Sequence, residues 1–216
     1  KLFSLIFIFI VIVNSINLID GVDGLASGVG LISTLAFGFW FSYLGDIHWA
    51  LISFSLSGAL LGFLVFNFNP AKIFMGDSGS LIIGAVISVL AIQLIESPTE
   101  KFAILGYEHV STPVLAMSIL AYPLLDTLRV FIIRTLKGKS PLSADRNHLH
   151  HKLQYRKMGH RKTVVIIYLF SLIMILQAFF IQFENPNISF FISFGTAMLF
   201  TLIVFIGAKK NKNATD

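Results

Sequence analysis

Residues 2–26 read LFSLIFIFIVIVNSINLIDGVDGLA, and this stretch decides the fold. Its first half is an unbroken apolar run, close to the ~20 residues a helix needs to cross the hydrocarbon core of a bilayer. Its second half ends that run in Asn14, Asn17, Asp20 and Asp23, each three residues from the last, with Gly21 and Gly24 among them. Apolar runs of the same kind recur along the chain. Of its 216 residues, 56% are hydrophobic and 12% charged, against roughly 25% charged in soluble domains, and mean hydropathy is +0.83. Lipid is therefore the solvent for most of the chain, and helices satisfy their own backbone groups there. The expected fold is all-α, a polytopic transmembrane bundle of about seven helices.

The spans are expected at residues 2–18, 25–44, 49–66, 80–95, 113–136, 163–183 and 188–208. Residues 1–208 then form one transmembrane domain with a loop at 137–162, followed by a tail at 209–216. Connections alternate between two sides. Apart from Lys1 and Lys101, every Lys and Arg falls in the connections 20–24, 67–79 and 137–162, in the tail, or at span ends facing them. All four Glu fall on the other side. The formal charge of +5 thus matters through its distribution, and the positive-inside rule makes the first side cytoplasmic. Asp77 and His150 are expected there, Glu108 and Glu184 opposite. The chain has no cysteine, which excludes disulfides and thiolate metal sites and leaves carboxylate, amide, imidazole and hydroxyl chemistry. Because it starts at Lys1, directly before an apolar run and without a signal-peptide pattern, it is expected to be a fragment, cut inside or just before a transmembrane helix.

Alternation puts three polar clusters on one face. The first is Asn14 to Ala26, where intramembrane Asn and Asp are costly unless they face a bundle interior or a wet cavity, so a functional site is the default reading. Gly21 and Gly24 release the chain from helix and allow close approach of a ligand. The plainer alternative is that Asp20 and Asp23 cap the next helix. The second cluster runs Phe66-Asn67-Phe68-Asn69-Pro70-Ala71-Lys72-Ile73-Phe74-Met75-Gly76-Asp77-Ser78-Gly79-Ser80. Its Gly-Asp-Ser-Gly resembles a trypsin-like nucleophile signature, but that chemistry needs a β-barrel and an oriented His-Asp pair. The free N–H groups at the start of the following helix favour phosphate instead. Asp77 beside phosphate suggests Mg²⁺, a hard cation shared between carboxylates and substrate phosphates, and Phe74 offers a flat face to a base. The alternative is a glycine turn capped by Asp77 or Ser78.

The third cluster holds Asp126, Arg129 and Arg134, then Asp145-Arg146-Asn147-His148-Leu149-His150-His151. Asp126 and Arg129 can pair on one helix face. His148 and His151 share a face but lack a completing carboxylate or thiolate and sit among cations, which argues against a transition metal. Arginine, histidine and asparagine together suit a polyanion such as a diphosphate. A basic loop anchoring anionic lipid is the alternative.

Asn14-x-x-Asn17-Leu-x-Asp20-Gly-x-Asp23-Gly-Leu-Ala26, Phe66-Asn67-x-x-Pro70-Ala71-x-x-Phe74-Met75-Gly76-Asp77-x-Gly79-Ser80 and Asp145-Arg146-x-His148-Leu149-His150-His151 together resemble the polyprenyl-phosphate N-acetylhexosamine-1-phosphate transferases. That family includes phospho-N-acetylmuramoyl-pentapeptide transferase; the histidine form looks like its undecaprenyl-phosphate N-acetylglucosaminyl-1-phosphate transferase branch, which starts O-antigen, common-antigen or teichoic-acid synthesis. Residues 1 to about 155 carry the likeness. It implies transfer of N-acetylhexosamine-1-phosphate from a UDP-sugar to undecaprenyl phosphate, releasing UMP at the cytoplasmic face of a bacterial inner membrane. It also implies Mg²⁺, with Mn²⁺ as an alternative, at Asn17 and Asp77. Catalytic roles fall to Asp20, Asp23, Asp77, His148, His150 and His151. Substrate contacts fall to Asn14, Asn67, Phe74, Lys72, Asp126, Arg129 and Arg146. Membrane lipid is a partner, nucleic acid is not, and a homodimer is compatible. One family feature, an early Asp-Asp pair, is absent here, which implies truncation and a chain inactive by itself. The rival readings are a nucleotide-sugar or organic-anion transporter, which would place its site near the bilayer midplane in repeated halves, and a noncatalytic or inactive membrane subunit.

Overall fold

The structure, a computed structural model, describes residues 1–98, 109–136, 138, 149, 153, 159–181 and 183–212, with side chains of the last helix described as far as residue 205. Among these residues there are eight helices and no strand: α1 Leu2–Ile19, α2 Leu25–Tyr43, α3 Ile47–Asn67, α4 Gly76–Ile95, α5 Thr112–Ile119, α6 Ala121–Leu136, α7 His160–Phe180 and α8 Pro186–Lys212. Six of them, all but α5 and α6, are long and apolar enough to cross a bilayer. The all-helical polytopic bundle expected from sequence is therefore what the chain forms.

The span expected as one helix at 113–136 is two. α5 and α6 meet at an angle of 81°. Pro123 lies in the first turn of α6, lacks an N–H, and crowds the carbonyl four residues back. That carbonyl belongs to Ile119, and the Ser33 hydroxyl donates to it from α2 at 3.2 Å. Proline frees the acceptor, and a serine from a neighbouring helix satisfies it inside the bundle. Counted as one bent span, the pair brings the total to seven.

α2 is the central helix, with 67% of its span buried against 22% for α1 and for α3. α3 packs on it, with the Ser57 hydroxyl donating to Thr34 Oγ1 at 2.8 Å. α1 crosses α4 closely. A Cβ added at Gly84 would lie 3.0 Å from Val13 Cα, and one turn on, Ser88 Oγ donates to Phe9 O at 3.3 Å. Exposed Phe3, Phe7, Leu51, Leu61, Leu169 and Leu202 form the outer apolar surface that a bundle shows to acyl chains.

Two ends of the bundle differ in content. At one, the α1–α2 and α3–α4 connections and the start of α7 converge, since Arg161 Nε donates to Asn69 O at 2.7 Å. At the other, Lys1 pairs with Glu96 at 3.0 Å, and Thr112 Oγ1 donates to Ile95 O at 3.2 Å. The first two polar clusters thus share an end, as alternation of the spans requires.

Candidate active site

α1 ends where its polar residues begin. Asp20 is the C-cap, and the chain turns through Gly21 to Gly24, whose φ of +80° is the left-handed conformation that glycine adopts without strain. Gly24 N donates to Asn67 Oδ1 at 3.1 Å, and Ser27 Oγ donates to the same oxygen at 2.7 Å. The other half of that amide donates from Asn67 Nδ2 to Ile73 O at 2.9 Å. A buried amide with every group satisfied is a rigid joint. A second joint is made by Asp23, whose Oδ2 accepts from Asn69 Nδ2 at 3.0 Å and from Ala71 N at 3.1 Å; the intervening Asn69–Pro70 peptide is cis. The first and second clusters are therefore laced into one body.

α4 starts at Gly76, with φ +67°, and places Asp77 in its first turn. No side chain caps α4, whose N-cap is Met75, or α2, whose N-cap is Gly24. The capping alternative for Asp20, Asp23, Asp77 and Ser78 is thus not what these residues do. Asn17 Nδ2 donates to Ser80 Oγ at 2.9 Å and reaches Asp77 Oδ1 at 3.3 Å. Buried Ser80, whose hydroxyl also lies 3.2 Å from Gly76 O, is a partner of Asn17 that sequence reading quoted in the motif without giving it a role. Its spacing from Asp77, one turn along α4, was the available signal.

Between the two loops lies a cavity of about 290 Å³, lined by Asp20 and Asp23 on one side, by Phe74 and Asp77 on the other, and by Asn67. Phe74 is 78% exposed, so its ring is open to a ligand. Burial, and then the charge of Asp77, push the Asp20 carboxyl up to about 6. Two carboxylates sharing a cavity in this way are each better ionised when a cation sits between them. Among the described residues no three His, Asp or Glu cluster as a metal cage. Mg²⁺ does not require one, because it binds through one or two carboxylates plus phosphate and water. Asp20 and Asp77 line the cavity as hard oxygen donors of that kind and fit it; Asn17, expected as a ligand, turns its amide nitrogen to Asp77 and Ser80.

The remaining expected residues fall differently. Asn14 is exposed and returns its Nδ2 to Ile10 O of its own helix at 2.7 Å. Lys72 is exposed and outside the cavity lining. Asp126 and Arg129 form a buried ion pair at 3.1 Å, and Asp126 Oδ1 accepts from Leu149 N at 2.8 Å. They hold the backbone of the histidine segment at Leu149 and do not line this cavity. Arg146, His148, His150 and His151 lie outside the described residues, as does Glu108. Sequence reading also passed over Asn69, Arg161 and Tyr168, whose partners are dozens of residues away. A second cavity, about 100 Å³ and apolar, lies between the α5–α6 bend and α8, against Met117, Leu128 and Phe194; it presents no ionisable group.

Residues 1–95 match the model of glycosyl transferase family 4. A decaprenyl-phosphate N-acetylglucosaminephosphotransferase of Mycolicibacterium smegmatis is 38% identical over 208 residues, 89% of this chain and 50% of the relative. A probable undecaprenyl-phosphate N-acetylglucosaminyl 1-phosphate transferase of Bacillus subtilis is 37% identical over 196 residues, 90% of this chain and 50% of the relative. An undecaprenyl-phosphate alpha-N-acetylglucosaminyl 1-phosphate transferase of Escherichia coli is 31% identical over 159 residues, 72% of this chain and 41% of the relative. The chain spans about half the length of these curated relatives.

Proposed function

The chain belongs to glycosyl transferase family 4, and from that membership we propose that it serves the transfer of an N-acetylhexosamine 1-phosphate from a UDP-sugar to undecaprenyl phosphate at the cytoplasmic face of a bacterial inner membrane. The product is an undecaprenyl-diphosphate-sugar, the first lipid-linked intermediate of a cell-envelope polysaccharide. N-Acetylglucosamine is the sugar to test first, because the relatives are named for it. The observation that carries the reading is the meeting of Asp20 and Asp77, from two different loops, in one cavity beside Asn17 and an open Phe74 ring. A transporter would hold its polar groups near mid-bundle; here they lie where helices end.

An oxygen of the lipid phosphate attacks the β-phosphorus of the donor, and the bond from that phosphorus to the oxygen of UMP breaks. Phe74 stacks on uracil, and the uncapped N–H groups at the start of α4 receive phosphate oxygens. Asp20 and Asp77, beside the Asn17 amide, would hold a Mg²⁺ ion, which would supply positive charge to offset the repulsion between two anionic substrates and to stabilise the departing UMP. Asp23 keeps the nucleotide-side loop in shape through Asn69 and Ala71. Asp126 accepts from Leu149 N, within the stretch whose Arg146, His148, His150 and His151 the family resemblance assigns to the diphosphate and sugar.

Membranes holding the full-length protein should transfer labelled sugar phosphate from UDP-N-acetylglucosamine to undecaprenyl phosphate and release UMP. Release of UDP, the mark of ordinary glycosyl transfer, would overturn the reading.

A further inference from the structure

α7 begins past the last of the recognised motifs, yet two of its side chains reach the loops that form the cavity. The Tyr168 hydroxyl donates to the carbonyl of Gly24. Its ring fills the slot left by Gly28 on α2, where an added Cβ would overlap the hydroxyl and the carbon that bears it. Gly24 is the left-handed residue between the Asp20–Asp23 loop and α2, and its carbonyl also accepts from Gly28 N at 3.0 Å. The peptide on which the loop pivots is therefore gripped from outside. Seven residues earlier, two turns along the same face, Arg161 Nε donates to Asn69 O. Asn69 is the residue that donates to Asp23. Neither Tyr168 nor Arg161 lines the cavity.

We infer that Tyr168 and Arg161 are positioning residues, through which α7 sets the shape of the two nucleotide-site loops without touching substrate; the term nucleotide-site rests on the function proposed above. Tyr168 acts on the Gly24 hinge, and Arg161 acts on Asp23 through Asn69. Any movement of α7 relative to α2 is then transmitted to both walls of the cavity. A serine or threonine at position 168 would not span the distance, and an alanine at position 28 would close the slot.

Three measurements on the full-length protein in detergent test this. Hydrogen exchange is read first, without any nucleotide. In Tyr168→Phe and in Arg161→Gln the amides of residues 20–28 and of Asn69, Ala71 and Lys72 should exchange about 3- to 10-fold faster, the size of one lost hydrogen bond, while those of α3 stay unchanged. Exchange at wild-type rates in both segments would overturn the inference whatever reaction the protein performs. The second reading is kinetic. Tyr168→Phe should raise KM for the UDP-sugar several-fold and leave KM for the lipid phosphate and the melting temperature at their wild-type values. Equal changes in both KM values with a lowered melting temperature would reduce Tyr168 to a packing residue. Because Gly28→Ala alone can fail to fold, it is paired with Tyr168→Ala. The double variant should regain thermal stability that Gly28→Ala loses; simple addition of the two losses would overturn the slot. Loss of the transfer reaction in the wild type would remove the functional reading and leave the exchange result standing.

Discussion

Asp77 and Asp20 share a cavity, and the two carboxylates call for different tests. Asp77→Asn keeps the shape of the first turn of α4 but removes the charge that favours a cation, so turnover should fall about 10²- to 10³-fold, the size of a lost charge interaction of roughly 3 to 4 kcal/mol in the transition state. Thermal stability should hold, since Asp77 caps nothing, and turnover at several Mg²⁺ concentrations checks the assignment: an unaltered Mg²⁺ dependence removes Asp77 from the metal site. Asp20 makes a prediction about the metal-free protein. Its carboxyl is pushed up from an ordinary 3.8 to about 6, so the fold holds its proton more tightly than the unfolded chain does. The resulting penalty is absent below about pH 4, grows between the two values, and is complete above about pH 6. The shift corresponds to about 3 kcal/mol at 1.36 kcal/mol per unit, which solvent screening of a half-buried group reduces to about 1 kcal/mol. In chelator, Asp20→Asn should therefore melt higher than wild type near pH 7.5 and level with it near pH 4. Equal melting at both would show that burial and Asp77 leave this carboxyl unperturbed.

Between elements, the crossing of α1 and α4 brings one helix up against the backbone of the other. A methyl at Gly84 would press on Val13 Cα at 3.0 Å and on Val13 O at 3.1 Å, both backbone atoms that cannot swing aside. Gly84→Ala should cost about 1 to 3 kcal/mol by overpacking, read by denaturation in detergent, and should loosen Asn17 from Ser80. Gly62→Ala on α3, where nothing lies within 4 Å, should be neutral or slightly stabilising through helix propensity. This level also shows what the sequence made legible. Six spans followed from apolar length, because a helix in lipid has to satisfy its own backbone. The break at Leu120 did not, although Pro123 was in plain view, because a proline bend inside a bundle needs a partner for the freed carbonyl and Ser33 is far away in sequence. Asp20 and Asp77, which line one cavity, were legible as candidates because polar groups at the end of a lipid span are costly. The pairing of Asp126 with Arg129 was legible from their spacing; the work of Asp23 and Asn67, and the hold of Asp126 on Leu149, was not, since the partners Asn69, Gly24 and Leu149 are backbone or amide groups without chemical signature. Asn14 was assigned with the motif it opens, and the structure leaves it exposed and bonded to Ile10 O of its own helix.

For the whole molecule, the orientation drawn from charge can be tested in a chain that has no cysteine. Ser78→Cys lies at the end that holds the cavity and Glu184→Cys at the opposite end. A membrane-impermeant thiol reagent applied to intact cells should label residue 184 and spare residue 78; the reverse pattern would invert the orientation. The place of the α1–α4 crossing has a mechanical consequence. Val13 precedes Asn17 by four residues, and Ser80 precedes Gly84 by the same number, so each side chain stands about 6 Å from the crossing at 1.5 Å per residue. The crossing is a fulcrum, and the levers to Asn17 and Ser80 are short and equal. A rocking of 5° about it would displace either residue by only about 0.5 Å on that arm, while the far ends of the same helices, where Lys1 pairs with Glu96, would move nearly three times as much. Bilayers of different thickness tilt helices, and this geometry confines the disturbance to the end away from the carboxylates. Turnover in reconstituted vesicles should accordingly stay level across acyl chains that differ by a few carbons, and a steep dependence on chain length would mean that the pivot lies elsewhere.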